Sequence, residues 1–256
     1  MKIISILSSI IFSLLLIMGC SGNRSTKQDS ISSVDTTSVP DTGYTGIKQY
    51  MSGKYKVSEV TFKNGIKEGL KKTFYQDGRL RQTFIYKNNL RVDSSLWYYP
   101  EGQVFRSTPY KRDTADGIQR QYYRNGKIKA RIGYKNGLRT PFIEEFTQDG
   151  KLVGGYPELV IDFRDDYKTR GVYQISLELS DKSTKVRYYR GDFSGGVFDT
   201  AHCEKIKTVK GVGTLNLKKT GSSTIDNVGV IAEILTAYGN NYLVNKKITL
   251  PYNDLK

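Results

Sequence analysis

The 256-residue chain has one histidine, two cysteines, one tryptophan and six prolines. So few His and Cys cannot build a zinc cluster, a His-based triad beside a metal site, or a disulfide framework. Carboxylates are left as the only plausible acid–base groups, and no cofactor or metal is expected. Acidic groups are themselves the minority, with 25 Asp and Glu against 40 Lys and Arg and a net charge of +15. A carboxylate-dependent glycosidase would need two carboxyls facing each other across a cleft, about 5 to 9 Å apart. Glu144 and Glu145 are adjacent, and on a strand they point to opposite faces. The reading is therefore of a non-catalytic protein, with length enough for about two ordinary domains.

The first residues are set apart from the fold. Lys2 precedes an apolar, Ser-containing stretch from Ile3 to Ile17 that is too short to span a bilayer, and Ile17-Met18-Gly19-Cys20 closes it. This resembles a bacterial lipoprotein signal of residues 1–19, which implies acylation of Cys20 and a membrane anchor, each buried methylene adding about 0.8 kcal/mol. Cys203 is then left without a partner and reads as a small buried hydrophobe. Residues 21–46 hold 11 Ser or Thr and almost no apolar side chains, so residues 20–46 read as a lipidated, flexible tether. Asp29-Ser30-Ile31 and Asp35-Thr36-Thr37 resemble O-glycosylation triplets of Bacteroides-type lipoproteins. In that group an early acidic run accompanies export to the outer face. Ser21-Gly22-Asn23-Arg24 is not such a run, which points to a cell-envelope protein on the outer membrane facing the periplasm.

Residues 47–153 are periodic. Gly53, Gly78, Gly102, Gly126 and Gly150 recur at steps of 25, 24, 24 and 24. Aromatic pairs precede three of them: Phe74-Tyr75, Tyr98-Tyr99 and Tyr122-Tyr123, with Phe146-Thr147 a degraded copy. Each repeat carries a second bend at Asn64-Gly65, Asn88-Asn89, Arg112-Asp113 or Asn136-Gly137, where residues that tolerate positive φ suit a type I′ turn. Between bends, Leu80, Gln82, Phe84 and Tyr86 alternate with Arg79, Arg81 and Thr83. Ile128, Ala130, Ile132 and Tyr134 alternate with Lys127, Lys129 and Arg131. Period two with one basic face describes half-exposed strands in an antiparallel meander that grows one hairpin per repeat.

These residues resemble the variant MORN repeat of bacterial proteins, in five copies. The resemblance implies an assembly or recognition scaffold and no catalytic residues. Many such proteins are labelled YwqK-like antitoxins, which makes an antitoxin or immunity role one alternative. Copies three and five depart from the pattern at Pro109, Arg112-Asp113 and Thr147.

Charge is uneven: residues 1–46, 47–153 and 154–256 carry net charges of 0, +12 and +3. Lys63, Lys87, Lys111 and Lys135 occupy one position per repeat, which two strands of about 4.8 Å each would space roughly 10 Å apart. Such a row could meet a polyanion, or could serve only as a device against edge-to-edge pairing. Phe74, Tyr98, Tyr122 and Phe146 are expected to stack as a ladder. Tyr75, Tyr99 and Tyr123 face the other way and are the aromatic candidates for contact, beside Arg79, Arg81, Lys127, Lys129 and Arg131. The partner is then an envelope protein or, as an alternative, an anionic glycan or lipid. Export argues against nucleic acid.

Residues 154–256 lose the period. Leu159–Phe163, Val172–Leu179, Lys185–Arg190, Gly213–Leu217, Asn227–Ala237 and Tyr242–Leu250 read as strands without a helix between them. Tyr173, Ile175, Leu177 and Leu179 alternate with polar residues. The set looks like an immunoglobulin or fibronectin type III sandwich, giving an all-β protein overall. Asp162, Asp165 and Asp166 read as a solvated turn, Arg190-Gly191-Asp192 as a turn after a strand, and His202-Cys203 as ordinary strand residues.

Overall fold

The structure is a computed structural model that describes residues 43–222 and 225–256. The expected leader, Cys20 and the tether as far as residue 42 lie outside the described residues. Sheet contacts begin before residue 47. The Gly65 N–H donates to the Tyr44 carbonyl at 2.7 Å, and the Asn64 N–H donates to Thr45 Oγ1 at 2.9 Å.

The repeats form one antiparallel sheet from β1 (Gly46–Ser52), β2 (Tyr55–Lys63), β3 (Ile66–Phe74), β4 (Leu80–Lys87), β5 (Leu90–Tyr98), β6 (Val104–Lys111), β7 (Thr114–Ala115), β8 (Gly117–Tyr122), β9 (Ile128–Lys135) and β10 (Leu138–Glu145). The strands pair in chain order, and the two-residue β7 is a side pairing on β6. This is the meander of successive hairpins that the spacing predicts.

Its bends repeat in backbone detail. Positive φ occurs at Asn64 and Gly65 (52° and 76°), Asn88 and Asn89 (51° and 65°), Arg112 and Asp113 (48° and 66°), and Asn136 and Gly137 (50° and 82°). The third copy therefore turns as the others do, although Arg at positive φ has a steric cost that Asn largely avoids. At the other end of each hairpin the Tyr75, Tyr99, Tyr123 and Thr147 N–H groups donate to the carbonyls of Arg79, Gln103, Lys127 and Lys151 at 2.7 to 2.9 Å. Thr147 thus keeps the turn that the degraded sequence puts in doubt. Past each of three of these turns a bulge inserts one extra residue: Arg81, Phe105 and Lys129.

The C-terminal strands are β11 (Leu159–Asp166), β12 (Val172–Leu179), β13 (Val186–Arg190), β14 (Glu204–Ile206), β15 (Thr208–Val209), β16 (Val212–Lys218), β17 (Asn227–Leu235) and β18 (Asn241–Thr249). They form two sheets, β11-β12-β16-β15 and β14-β13-β17-β18. Lettered in chain order with β14 as C′, these are the orders ABED and C′CFG of an immunoglobulin-type Greek key. The short β14 and β15 lack the alternating apolar residues that mark the longer strands in the sequence. Two helical turns lie between the strands, an α-helical one at Tyr167–Arg170 and a 3-10 one at Thr200–His202, and correct the expectation of no helix. The second puts His202 in a turn with Cys203 capping it rather than in the expected strand; Gly171 ends the first at φ 64°, with its N–H on the Tyr167 carbonyl.

Tyr173, Ile175, Leu177 and Leu179 point inward at 7%, 0%, 0% and 0% exposure, as alternation predicts. They meet Val228, Val230, Ala232 and Ile234 of β17 in one apolar core. Tyr188 lies at its centre, donating its hydroxyl to the Gly211 carbonyl at 3.1 Å. Gly213 is glycine because a Cβ there would come within 2.5 Å of the Tyr188 ring.

Candidate binding face of the repeat sheet

Lys63, Lys87, Lys111 and Lys135 end β2, β4, β6 and β9, each exposed beside a type I′ turn. Strand order sets them two strands apart along one side of the sheet, which is the predicted spacing of about 10 Å. Lys135 is partly engaged, donating to the Gly195 carbonyl of the sandwich at 3.2 Å.

The remaining basic candidates do not form one open strip. Arg79 is held twice by Asp77, Nε at 2.9 Å and Nη2 at 2.6 Å, and this bond lowers the Asp77 pKa below the ordinary carboxylate value. Arg131 pairs with Glu144 at 3.1 Å and lies over the Phe146 ring at 5.4 Å. Lys127 donates to the Asp149 carbonyl. Arg81 and Lys129 are the bulge residues of their repeats. Arg81 approaches the Trp97 ring at 5.8 Å and lines a cleft of about 400 Å³ with Tyr55, Val57, Phe74 and Tyr75. Asp77 within the same turn and Glu144 on the paired strand therefore take up part of the charge that a linear reading leaves free.

The tyrosine candidates have a structural task. The Tyr75, Tyr99 and Tyr123 hydroxyls donate to the carbonyls of Tyr98, Tyr122 and Phe146 at 2.7, 2.9 and 2.6 Å. Each hydroxyl ties one repeat to the next, 23 residues on, and burial raises the Tyr123 pKa above its ordinary value. The expected stacking of Phe74, Tyr98, Tyr122 and Phe146 is replaced by these bonds. Rings two strands apart lie too far from one another to touch, and two of them meet cations instead, Phe74 with Lys56 at 4.5 Å and Phe146 with Arg131.

Register reveals a feature that alternation alone misses. Thr73, Gln82, Trp97, Arg106, Gln121, Ala130 and Glu145 sit opposite one another across seven successive strands, forming a seam on one face. Positions 73, 97, 121 and 145 are one site of the repeat, and 82, 106 and 130 another. Beside the seam Gln82 donates to Ser95 Oγ at 3.2 Å and Gln119 to Thr108 Oγ1 at 3.0 Å. All four residues are buried.

The seam is occupied at one end. Glu145 is fully buried, and its Oε1 accepts from Thr236 Oγ1 at 2.8 Å and Asn240 Nδ2 at 2.6 Å while Oε2 accepts from the Tyr156 hydroxyl at 3.0 Å. Burial and the Glu145 charge push the Tyr156 pKa upward. Gln121 donates to Asn240 Oδ1 at 2.8 Å, Arg139 donates to the Asn241 carbonyl at 2.9 Å, and Tyr156 stacks on Tyr242 at 4.3 Å. The β17–β18 hairpin of the sandwich thus covers the β8–β10 end of the seam.

Further along, the seam has polar atoms without partners. Thr73 Oγ1 and Arg106 Nε are buried and make no hydrogen bond. The Arg106 guanidinium lies 4.5 Å from the Trp97 ring centre and 5.6 Å from that of Phe105, and burial depresses its pKa. No carboxylate of the described residues pairs with it. The sequence signal for Arg106 was available: a charged residue at the position that is Gln82 and Ala130 in neighbouring copies, on the face that alternation reserves for burial.

Other singled-out residues are in ordinary structural roles. Asp162, Asp165 and Asp166 lie in strand β11, paired with β12, rather than in the expected turn; Asp165 accepts from the Tyr252 hydroxyl at 2.8 Å, and Asp166 pairs with Arg164 and Arg170. Asp192 accepts from Asn245 Nδ2 at 3.1 Å, and Gly191 packs so closely on Cys203 that a Cβ would come within 2.8 Å of its sulfur. His202 pairs with Asp199 rather than with Cys203, whose thiol pKa burial raises.

Two stretches, residues 67–88 and 115–136, match the family described as MORN repeat variant. They cover β3–β4 and β7–β9 and so coincide with two of the structural repeats. No curated protein matches the chain significantly.

Proposed function

We propose that the chain is a lipid-anchored cell-envelope protein, held to the outer membrane on its periplasmic side through Cys20, whose repeat sheet binds a protein partner without catalysing a reaction. The observation that carries this reading is the open face of the MORN-variant sheet, where Thr73 Oγ1 and Arg106 Nε are buried without a hydrogen bond. Part of that face already recognises polypeptide, since Gln121 and Glu145 bond to side chains of the sandwich hairpin. A polypeptide-recognising surface on a membrane tether fits a scaffold.

Crosslinking in the native envelope tests it. One defined partner should co-purify at both low and moderate salt, and Cys20→Ala should move the protein out of the membrane fraction. Unchanged membrane association of Cys20→Ala would remove the anchor. A second reading, an anionic glycan or lipid ligand, is supported by the lysine row at 63, 87 and 111. It requires binding that falls steeply between low and moderate salt and is lost when Lys63, Lys87, Lys111 and Lys135 are changed to Glu.

A further inference from the structure

Resting on the reading of the sheet as a protein-binding face, we infer that the seam from Thr73 to Arg106 takes an acidic, extended segment of the partner, with a carboxylate on the Arg106 guanidinium and an adjoining side chain on Trp97. A guanidinium presents five donors in a planar fork suited to a carboxylate. Among the described residues no carboxylate pairs with Arg106 to use that fork, and its Nε is already cut off from water without a hydrogen bond. Leaving a buried donor unmet is costly, and a bond to a charged acceptor recovers more than one to a neutral group.

The seam's other unmet atom, Thr73 Oγ1, lies three strands away with Gln82 and Trp97 between them, while a third, Arg139 Nε, is off the seam at its covered end. That interval is roughly 15 Å, the reach of four or five extended residues. Trp97 supplies a flat apolar surface held against Arg106, an arrangement that favours a ligand carrying charge and a neighbouring nonpolar group together.

The occupied end of the same seam argues for polypeptide as the ligand. There Asn240 and Thr236 reach the seam from a protein hairpin and satisfy Gln121 and Glu145. The hairpin's direct hydrogen bonds to the seam stop at Gln121, one strand short of Arg106. Charge completes the argument: the repeats carry +12, and a ligand that brings carboxylates is drawn to them.

Trp97 is the chain's sole tryptophan, so its emission reads this site directly. The probe is an octapeptide alternating Glu with Leu, titrated into the full chain in dilute buffer, with a Ser-for-Glu peptide and an oligogalacturonate run in parallel. The acidic peptide alone should shift Trp97 emission saturably, and Arg106→Gln should weaken that binding at least about ten-fold. Arg79→Gln, at a cation already neutralised by Asp77, should leave it within about two-fold. Equal shifts with the Ser peptide, or a response to the oligogalacturonate alone, would overturn the assignment, and neither control depends on a variant folding.

In the envelope, a photo-crosslinker at Arg81, half-exposed beside Trp97, should reach the co-purifying partner, and Arg106→Gln should abolish that crosslink. With Arg106 intact, capture from Lys87 but none from Arg81, or an Arg81 crosslink that survives Arg106→Gln, leaves the binding reading intact and sinks this site. Capture from neither position sinks the binding reading itself.

Discussion

The repeat sheet and the sandwich are built from the same alternating strands and yet are stabilised differently. In the sandwich two sheets face each other, and Ile175, Leu177, Leu179, Leu217 and Val230 are wholly removed from water. In the repeat sheet the buried set is short and largely polar: Val60, Phe62, Ala130 and Ile132 beside Gln82, Ser95, Thr108, Gln119 and Glu145. A single layer has no second apolar surface to press against. Its order comes from neighbour-to-neighbour bonds, the tyrosine hydroxyls and the turns, so each repeat depends on the next. The cost is weak burial, and the return is a broad accessible face for recognition.

The sharpest test of this contrast is a cavity in the sandwich. Leu177→Ala should cost about 2–5 kcal/mol in urea unfolding followed by tyrosine signals, because a fully buried leucine leaves a void behind. Trp97 emission should report a smaller shift for the repeat sheet. Coincident transitions would mean that the two regions unfold as one.

Next comes the junction. Glu145→Ala removes the acceptor for Thr236, Asn240 and Tyr156 and should cost about 3 kcal/mol. Faster hydrogen exchange over residues 236–241, with the sandwich core protected as before, would confirm that the loss is local to the contact.

Smaller effects probe the sheet itself. Tyr99→Phe takes away one inter-repeat hydroxyl bond and should lower stability by about 1 kcal/mol, read as a drop in the Trp97 unfolding midpoint. An unchanged midpoint would show that these hydroxyls do not link the repeats energetically.

Alkali should then separate the regions. Burial pushes the Tyr188 pKa from 10.0 up to about 12. The folded state keeps that proton after the unfolded chain has lost it, so the stabilisation is complete below pH 10 and is lost as pH rises toward 12. Absorbance at the phenolate band should show late-ionising tyrosines, Tyr156 among them, and Tyr188→Phe should reduce the late amplitude by one tyrosine. The least effect belongs to Arg112→Asn, which relieves positive φ in one turn and should raise the midpoint by the equivalent of about half a kcal/mol.

Much of the architecture could be read along the chain because it is local. A 24-residue period with Asn-Gly bends and alternating side chains states where strands begin, where they end and which neighbour they pair with. The tyrosines were harder. Alternation placed Tyr75, Tyr99 and Tyr123 away from their aromatic neighbours, but could not say that the backbone carbonyl of the following repeat lies within reach of each hydroxyl. The cations divided in the same way: Arg79 meets an acid two residues off, whereas Arg131 meets Glu144 only through strand pairing. Arg106 stood out of pattern without revealing whether an acid would face it.

What the sequence determined by itself is therefore the all-β character, the hairpin rhythm and the concentration of charge on the repeats, since all three follow from residue order over a few tens of positions. Only the tertiary structure decided which charges are neutralised, that the sandwich hairpin covers one end of the seam, and that Thr73 and Arg106 are left with buried polar atoms unmet. Those outcomes depend on groups up to 119 residues apart, Gln121 and Asn240, arriving at one place. Period and composition carry no record of such a meeting, because hydrogen bonding and burial are set by distance in space rather than along the chain.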